Sequence, residues 1–336
     1  MAKTYIIAEA GVNHNGSLEL AKKLVDVAID AGVDAVKFQT FKAENMVTQY
    51  ADKAKYQAAS TGEGNQFQML KKLELSFEEY NTLNEYCKKQ GITFLSTPFD
   101  SESVDLLKKL NIPLYKISSG DLTNLPLLDY IARLKKPMII STGMGTLGEV
   151  EKAINTIQNA GNTEITLLHC TSNYPTMYED VNLKAMNTLK DAFKLPVGYS
   201  DHTLGIEVAI AAVAMGAKVI EKHFTTDNTL EGPDHKASLE PAALKQMVLS
   251  IRNIEEAFGD GVKKCRENEK NTRDVARKSI VASQVIKKGE LITIEEVTFK
   301  RPGLGISPEF LNMIVGRTAS CDIDRDEIIT FEKVGR

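Results

Sequence analysis

Short apolar runs recur along the chain, each breaking into a polar cluster and each followed by a stretch of helical periodicity. The runs are Tyr5 to Ala8, Ala35 to Phe38, Thr93 to Leu95, Leu114 to Ile117, Met138 to Ile140, Ile165 to Leu168, Val197 to Tyr199 and Ala217 to Ile220. Alternation of such runs with helices reads as parallel strands joined by helical crossovers. Eight repeats make the count of a (β/α)8 barrel. The helices carry their own punctuation. Ser76 to Glu79 and Thr146 to Glu149 read as capping boxes, and Gly32, Gly91, Gly161 and Gly259 as C-terminal stops. Past Gly259 the pattern changes. A charged segment, 261–277, reads as a linker with some helix, and 278–336 as short strands around turns, a small β-rich domain after a barrel of residues 1–260.

Every predicted strand ends in polar residues: Glu9, Lys37 with Gln39, Ser96-Thr97, Lys116 with Ser118 and Ser119, Ser141-Thr142, His169 with Thr171, Ser200-Asp201-His202 and Glu221-Lys222-His223. A barrel core alone needs no polar ring at one end, whereas an active site on the C-terminal face does. Side chains alternate along a strand, so Ser200 shares a face with His202, and Glu221 with His223. If both faces point inward, the two imidazoles converge. With carboxylate, water or substrate oxygens they suit a borderline divalent ion such as Mn²⁺ or Zn²⁺. The competing reading is a pair of unrelated histidines bonded to backbone, which the matched positions on consecutive strands disfavour. Ser118-Ser119-Gly120 and Ser141-Thr142-Gly143, with Lys37 and Lys116 on the same rim, fit a phosphate or carboxylate, although Ser-Gly turns are also plain loop chemistry.

One connection is long, from Phe41 to Leu75, and its polar middle, Ala59 to Gln66, is expected to form a mobile loop over the barrel mouth. Tyr174, before Pro175, is expected near the site. Lys300-Arg301-Pro302-Gly303 makes a basic loop in the small domain.

The net charge of -4 offers no basic surplus for nucleic acid. The 4 cysteines are scattered without CxxC spacing and fit a reducing compartment. The apolar run Val208 to Ile220 is interrupted by Gly216 and Lys218 and is too short to span a bilayer. Because Met1-Ala2-Lys3 leads directly into a strand, no signal peptide is expected, and the protein is expected in the cytoplasm without membrane association.

In its ordered motifs the chain resembles the sialic acid synthase family, which includes legionaminate and related nonulosonate synthases. The stretches are EAGVNHNGS, VKFQTF, FLSTPFD, YKISSGD, IISTGM, LLHCTSNYPT, GYSDHT, EKHFT, GPDHKASLEP and KRPGLGIS, and together they cover nearly the whole length. The resemblance implies a phosphoenolpyruvate-condensing TIM barrel followed by an antifreeze-like, or SAF, domain, in a homodimer whose subunits exchange that domain. It implies His202 and His223 as ligands of a divalent metal, Mn²⁺ first, with Mg²⁺ or Co²⁺ as alternatives. It places phosphoenolpyruvate on Lys37, Lys116, Ser119, Ser141 and Ser200. The amino sugar falls to Gln39, Tyr174, Asp234 and, from the second subunit, Arg301, with Glu9 near the reacting centre. Asp121 stands where many members carry glutamate, one methylene longer, in a role toward the sugar hydroxyls or a proton.

The activity implied is condensation of phosphoenolpyruvate with an open-chain N-acylmannosamine, with C–O cleavage and phosphate release. N-acetylmannosamine, giving N-acetylneuraminate, is the leading substrate; the alternative is 2,4-diacetamido-2,4,6-trideoxymannose, giving legionaminate. A metal-dependent aldolase would need a desolvated Schiff-base lysine, which the hydroxyl-rich rim disfavours. A non-catalytic carbohydrate-binding protein would leave the polar strand ends without purpose.

Overall fold

The computed structural model describes residues 3–335, so Met1 and Ala2 of the expected leaderless start and Arg336 of the expected small domain lie outside the described residues. The chain divides into two compact units, the first ending at Phe258 and the second beginning at Gly259.

In the first unit, β1 (Tyr5–Gly11), β2 (Ala35–Thr40), β3 (Thr93–Pro98), β4 (Tyr115–Ile117), β5 (Met138–Ser141), β6 (Ile165–His169), β7 (Val197–Asp201) and β8 (Val219–His223) form one parallel sheet. Its hydrogen-bonded order is β3-β2-β1-β8-β7-β6-β5-β4, and the two ends, β3 and β4, lie side by side, which closes a barrel. The strands run further into the polar clusters than the apolar runs suggest, so that Gln39, Asp201 and His223 are strand residues. At the other end β8 starts at Val219, because the Ala217 N–H is still used by Ala212 O to finish the preceding helical turn.

The alternation of each strand separates two cores. Outward side chains meet the surrounding helices in the main apolar layer, which includes Ile6, Phe38, Phe94, Ile140 and Tyr199. Inward ones form a small plug of Ile7, Ala35, Leu95, Ile139, Leu168 and Val219. Above this hydrocarbon floor the next inward positions are the polar ones, so the barrel interior is dry at one end and charged at the other. Gly198 also faces inward. A Cβ there would come within 2.3 Å of Val219 O, so glycine is required for β7 to approach β8.

The helices begin and end where the local chemistry asks. Ser76 and Thr146 make reciprocal capping boxes with Glu79 and Glu149, and Gly32 and Gly91 close their helices in the left-handed region. The connection from Phe41 to Leu75 departs from the expected mobile loop. It holds three short helices, Ala43–Met46, Lys55–Thr61 and Gln66–Lys71, and its apolar residues pack with Val12 in a cluster of their own. Asn65, in the stretch expected to be loose, caps the last of these helices with Gln68. No helix among the described residues is long and apolar enough to cross a membrane.

The second unit is built on an antiparallel pair, β9 (Ser279–Ala282) with β10 (Val297–Lys300), and on a compact core dominated by isoleucines, among them Ile280, Ile286, Ile292, Ile306, Ile323 and Ile329. The helix Lys270–Ala276 lies in the segment expected as a linker. Arg301 follows β10 and is exposed, next to Lys300, which pairs with Asp326.

Candidate active site

All the site residues expected in the first unit except Asp121 line a single cavity of about 450 Å³ at the C-terminal ends of the barrel strands. Strand alternation puts them there. Glu9, Lys37, Thr97, Lys116, Ser141, Ser200 and Glu221 each stand two residues beyond an inward position, which for Lys116 is Leu114 just before β4.

The centre of the cavity is a buried knot of charge. Lys37 Nζ lies 2.7 Å from Glu9 Oε2 and 3.6 Å from Glu221 Oε2, and donates to Thr97 Oγ1 at 2.9 Å. Lys116 Nζ lies 3.2 Å from Glu221 Oε1 and donates to Ser141 Oγ at 2.8 Å, while the Ser200 hydroxyl donates to Glu221 Oε1 at 2.8 Å. The protonation states follow from this packing. Burial pushes Glu9 up to about 7 against the pull of Lys37. For Glu221 burial is outweighed by Lys116 and Lys37, which hold it below the usual carboxylate range. Burial lowers Lys116, whereas at Lys37 its lowering is outweighed by Glu221 and Glu9 and the ammonium is strengthened.

Glu221 therefore matters as much as either lysine. Sequence reasoning gives it a face, shared with His223, but no role. Its partners, Lys37 and Lys116, come from distant strands, and only closure of the barrel brings the three together.

Beside the knot stand the imidazoles of His202 and His223, with ring centroids 5.5 Å apart. Thr171 O lies 2.7 Å from His202 Nδ1; a carbonyl can only accept, so Nδ1 carries the proton and Nε2 keeps its lone pair. His223 Nδ1 is buried without a hydrogen-bond partner, 4.0 Å from Asp234 Oδ2. Burial lowers both imidazoles, His223 further through its proximity to His202, which keeps them in the neutral form a metal ligand needs. An orphaned ring nitrogen beside an oriented one fits a divalent ion. Among the described residues no group of three or more His, Cys, Asp or Glu converges as a metal cage, so further ligands would be oxygens of bound molecules.

Tyr174 covers the pair. Its ring lies 4.2 Å from that of His202, 5.5 Å from that of His223, and 5.2 Å from Tyr56 of the long connection. Gln39 Nε2 donates to Glu9 Oε1 at 3.2 Å, and Asp234, pushed up to about 6 by burial, faces the same space. Ser119 Oγ accepts from the Gly143 N–H at 3.0 Å, which ties the two Ser-Gly loops together.

Two expected placements change. The Asp121 carboxylate accepts from the Ser118 hydroxyl and the Asn124 amide, at 2.7 and 3.2 Å, and does not line the cavity, because the short turn Ser119–Asp121 uses it as an internal brace. His169, read as one of the polar strand ends, turns away from the barrel interior. It shares the outward face of Leu167, its Nε2 lies 2.8 Å from Val181 O, and Cys170 follows inward in its place, 3.1 Å from Ser119 Oγ. Arg301 belongs to the second unit.

Polar groups gathered above a dry plug at the C-terminal ends of eight parallel strands define a catalytic barrel. The chain belongs to the NeuB family, which its residues 24–263 match, and its residues 277–335 match the SAF domain. It is 53% identical over 332 residues to the N,N'-diacetyllegionaminic acid synthase of Campylobacter jejuni, covering 98% of this chain and 99% of that protein. It is 50% identical over 335 residues to the protein of the same name from Legionella pneumophila, covering 98% of this chain and 94% of that one. Among solved structures, the N-acetylneuraminic acid synthetase of Leptospira borgpetersenii superposes with a TM-score of 0.71 at 36% identity, over 81% of this chain and 90% of that one.

Proposed function

We propose that the protein is a nonulosonic acid synthase that condenses phosphoenolpyruvate with 2,4-diacetamido-2,4,6-trideoxymannose to give N,N'-diacetyllegionaminate. The single observation that carries the chemistry is the pairing of two buried lysines with hydroxyls, beside two neutral imidazoles, in one cavity. The choice of sugar moves from the leading expectation, N-acetylmannosamine, to its alternative. The relatives at 53% and 50% identity act in legionaminic acid synthesis by name, whereas the neuraminic acid synthetase stands at 36%.

Lys37 and Lys116 would bear the phosphate and carboxylate of phosphoenolpyruvate, with the hydroxyls of Ser119, Ser141 and Ser200 fixing their orientation. The open-chain sugar would lie against Gln39, Tyr174 and Asp234. A divalent ion held by His202 and His223, Mn²⁺ in the first instance, would act as a Lewis acid on the aldehyde oxygen. The enol carbon of phosphoenolpyruvate bonds to the aldehyde carbon, whose oxygen takes up a proton. Water adds to C2, and the C2–O bond to phosphate then breaks to leave the ketone. Glu9, with its carboxyl near 7, would take the proton that the water gives up. We further propose a homodimer in which the second copy supplies Arg301.

The test is phosphate release from phosphoenolpyruvate with each sugar, before and after exhaustive chelation. Release that depends on the trideoxy sugar, falls at least 100-fold in His202→Ala or His223→Ala, and returns with Mn²⁺ in the wild-type protein is the expected result. Full activity after chelation would overturn the metal's part, and sugar-independent release the condensation.

A further inference from the structure

The chemistry above uses the floor of the cavity and leaves one wall unexplained. Val12, Met46, Met69, Leu70, Leu73 and Phe99 form it, and all six belong to the apolar cluster organised by the long connection. The cluster is a built feature: Met69, Leu70 and Leu73 are only 7%, 6% and 7% exposed. Two amide side chains, Gln57 and Gln66, line the cavity from the same connection.

The aldehyde of the sugar has to lie by the imidazoles and the lysine-bound enolpyruvyl group. An open chain therefore runs its far end away from the strand ends, toward this wall. A hydroxyl arriving there gives up water and meets thioether and alkyl groups, whereas a methyl gains by the same burial. An acylamino group brings a methyl for the wall and an amide that a glutamine can pair in both directions.

We infer that this wall selects sugars whose terminal carbon is deoxygenated and whose C4 substituent is an acylamino group, with Met46 and Met69 contacting the methyl groups and Gln57 or Gln66 the amide. The inference rests on the synthase reading and assigns its substrate discrimination to the long connection, outside the barrel proper.

The experiment compares kcat/KM for 2,4-diacetamido-2,4,6-trideoxymannose and for N-acetylmannosamine, at saturating phosphoenolpyruvate, in the wild-type protein, Met69→Gln and Met46→Gln. Wild type is expected to favour the trideoxy sugar about a hundredfold, and each variant to lower that ratio roughly tenfold. Met46 is only half-buried, so Met46→Gln decides the matter if Met69→Gln fails to fold. A ratio unchanged in the folded variants, or an equal loss for both sugars, overturns the wall's role and leaves the synthase reading intact. Wild-type preference for N-acetylmannosamine overturns the choice of sugar and the wall together. No phosphoenolpyruvate-dependent product with either sugar overturns the synthase reading itself.

Discussion

Gly11 ends β1 at a φ of +54°, where a Cβ would lie 3.3 Å from Gln39 Nε2, 3.4 Å from Glu9 Oε1 and 3.5 Å from Asp234 Oδ2. Any side chain there costs about 1–2 kcal/mol of backbone strain and crowds Gln39, with Glu9 at the edge of contact. Gly11→Ala is expected to lower kcat/KM at least tenfold while the chain still folds; wild-type kinetics would show that these groups tolerate displacement. A nearby residue bears on stability instead. His14 is 0% exposed, its Nδ1 accepts from the Gly16 N–H at 3.1 Å, and burial pulls its pKa down to about 4. Unfolded, the same imidazole titrates near 6.5, so the folded state favours the neutral ring. Its contribution is complete above about pH 6.5 and is lost as pH falls toward 4, to a total of about 3 kcal/mol. Urea midpoints at pH 7.5 and 4.5 should differ less in His14→Gln than in wild type, and an equal difference would assign the acid sensitivity elsewhere.

At the scale of strands, the outward positions between the site residues of β7 and β8 carry Asp201 and Lys222, both 0% exposed and paired at 2.9 Å. Asp201 Oδ1 also accepts from the Thr203 N–H and hydroxyl, and Lys222 donates to Thr203 O. This ion pair cross-links the two strands one residue from each imidazole. Removing the ammonium strands a buried carboxylate, at about 3–5 kcal/mol. Lys222→Met should therefore lower the melting temperature by roughly 10 °C and, at the proposed metal site, weaken Mn²⁺ binding measured by calorimetry. An unchanged melt would make the pair dispensable. The same alternation explains what could be read in advance. A period of two, anchored by Ile7, Ala35 and Val219, is enough to put Glu9, Lys37, Gln39 and His223 on one face. It fails at β6, where Leu167 and Leu168 are apolar on opposite faces and give no phase, so His169 is read among the polar strand ends when Cys170 is the inward residue. Asp121 escapes because its partners, Ser118 and Asn124, are local and any turn could use them. The apolar wall escapes because Met46, Met69 and Val12 meet only when the long connection folds back on the barrel.

For the molecule as a whole, the imidazoles lie in the first unit and Arg301 in the second. In the proposed homodimer an intact site draws on both copies, so two differently disabled chains should complement each other. Arg301→Ala and His223→Ala proteins, each weak alone, are expected on mixing and exchange to recover about a quarter of wild-type turnover, since half the dimers then contain one complete site. No recovery would assign Arg301 to the site of its own chain. The knot of Lys37, Lys116, Glu9 and Glu221 has a consequence at this scale as well. Because each ammonium is already matched by a carboxylate, the resting pocket holds little uncompensated positive potential, and a stray sulfate or inorganic phosphate gains little by entering. An anion that is to reach Lys37 and Lys116 has to displace those carboxylates or see them protonated, and Glu9, near 7, is the partner that gives way first, so entry of a phosphate group is expected to be coupled to proton uptake.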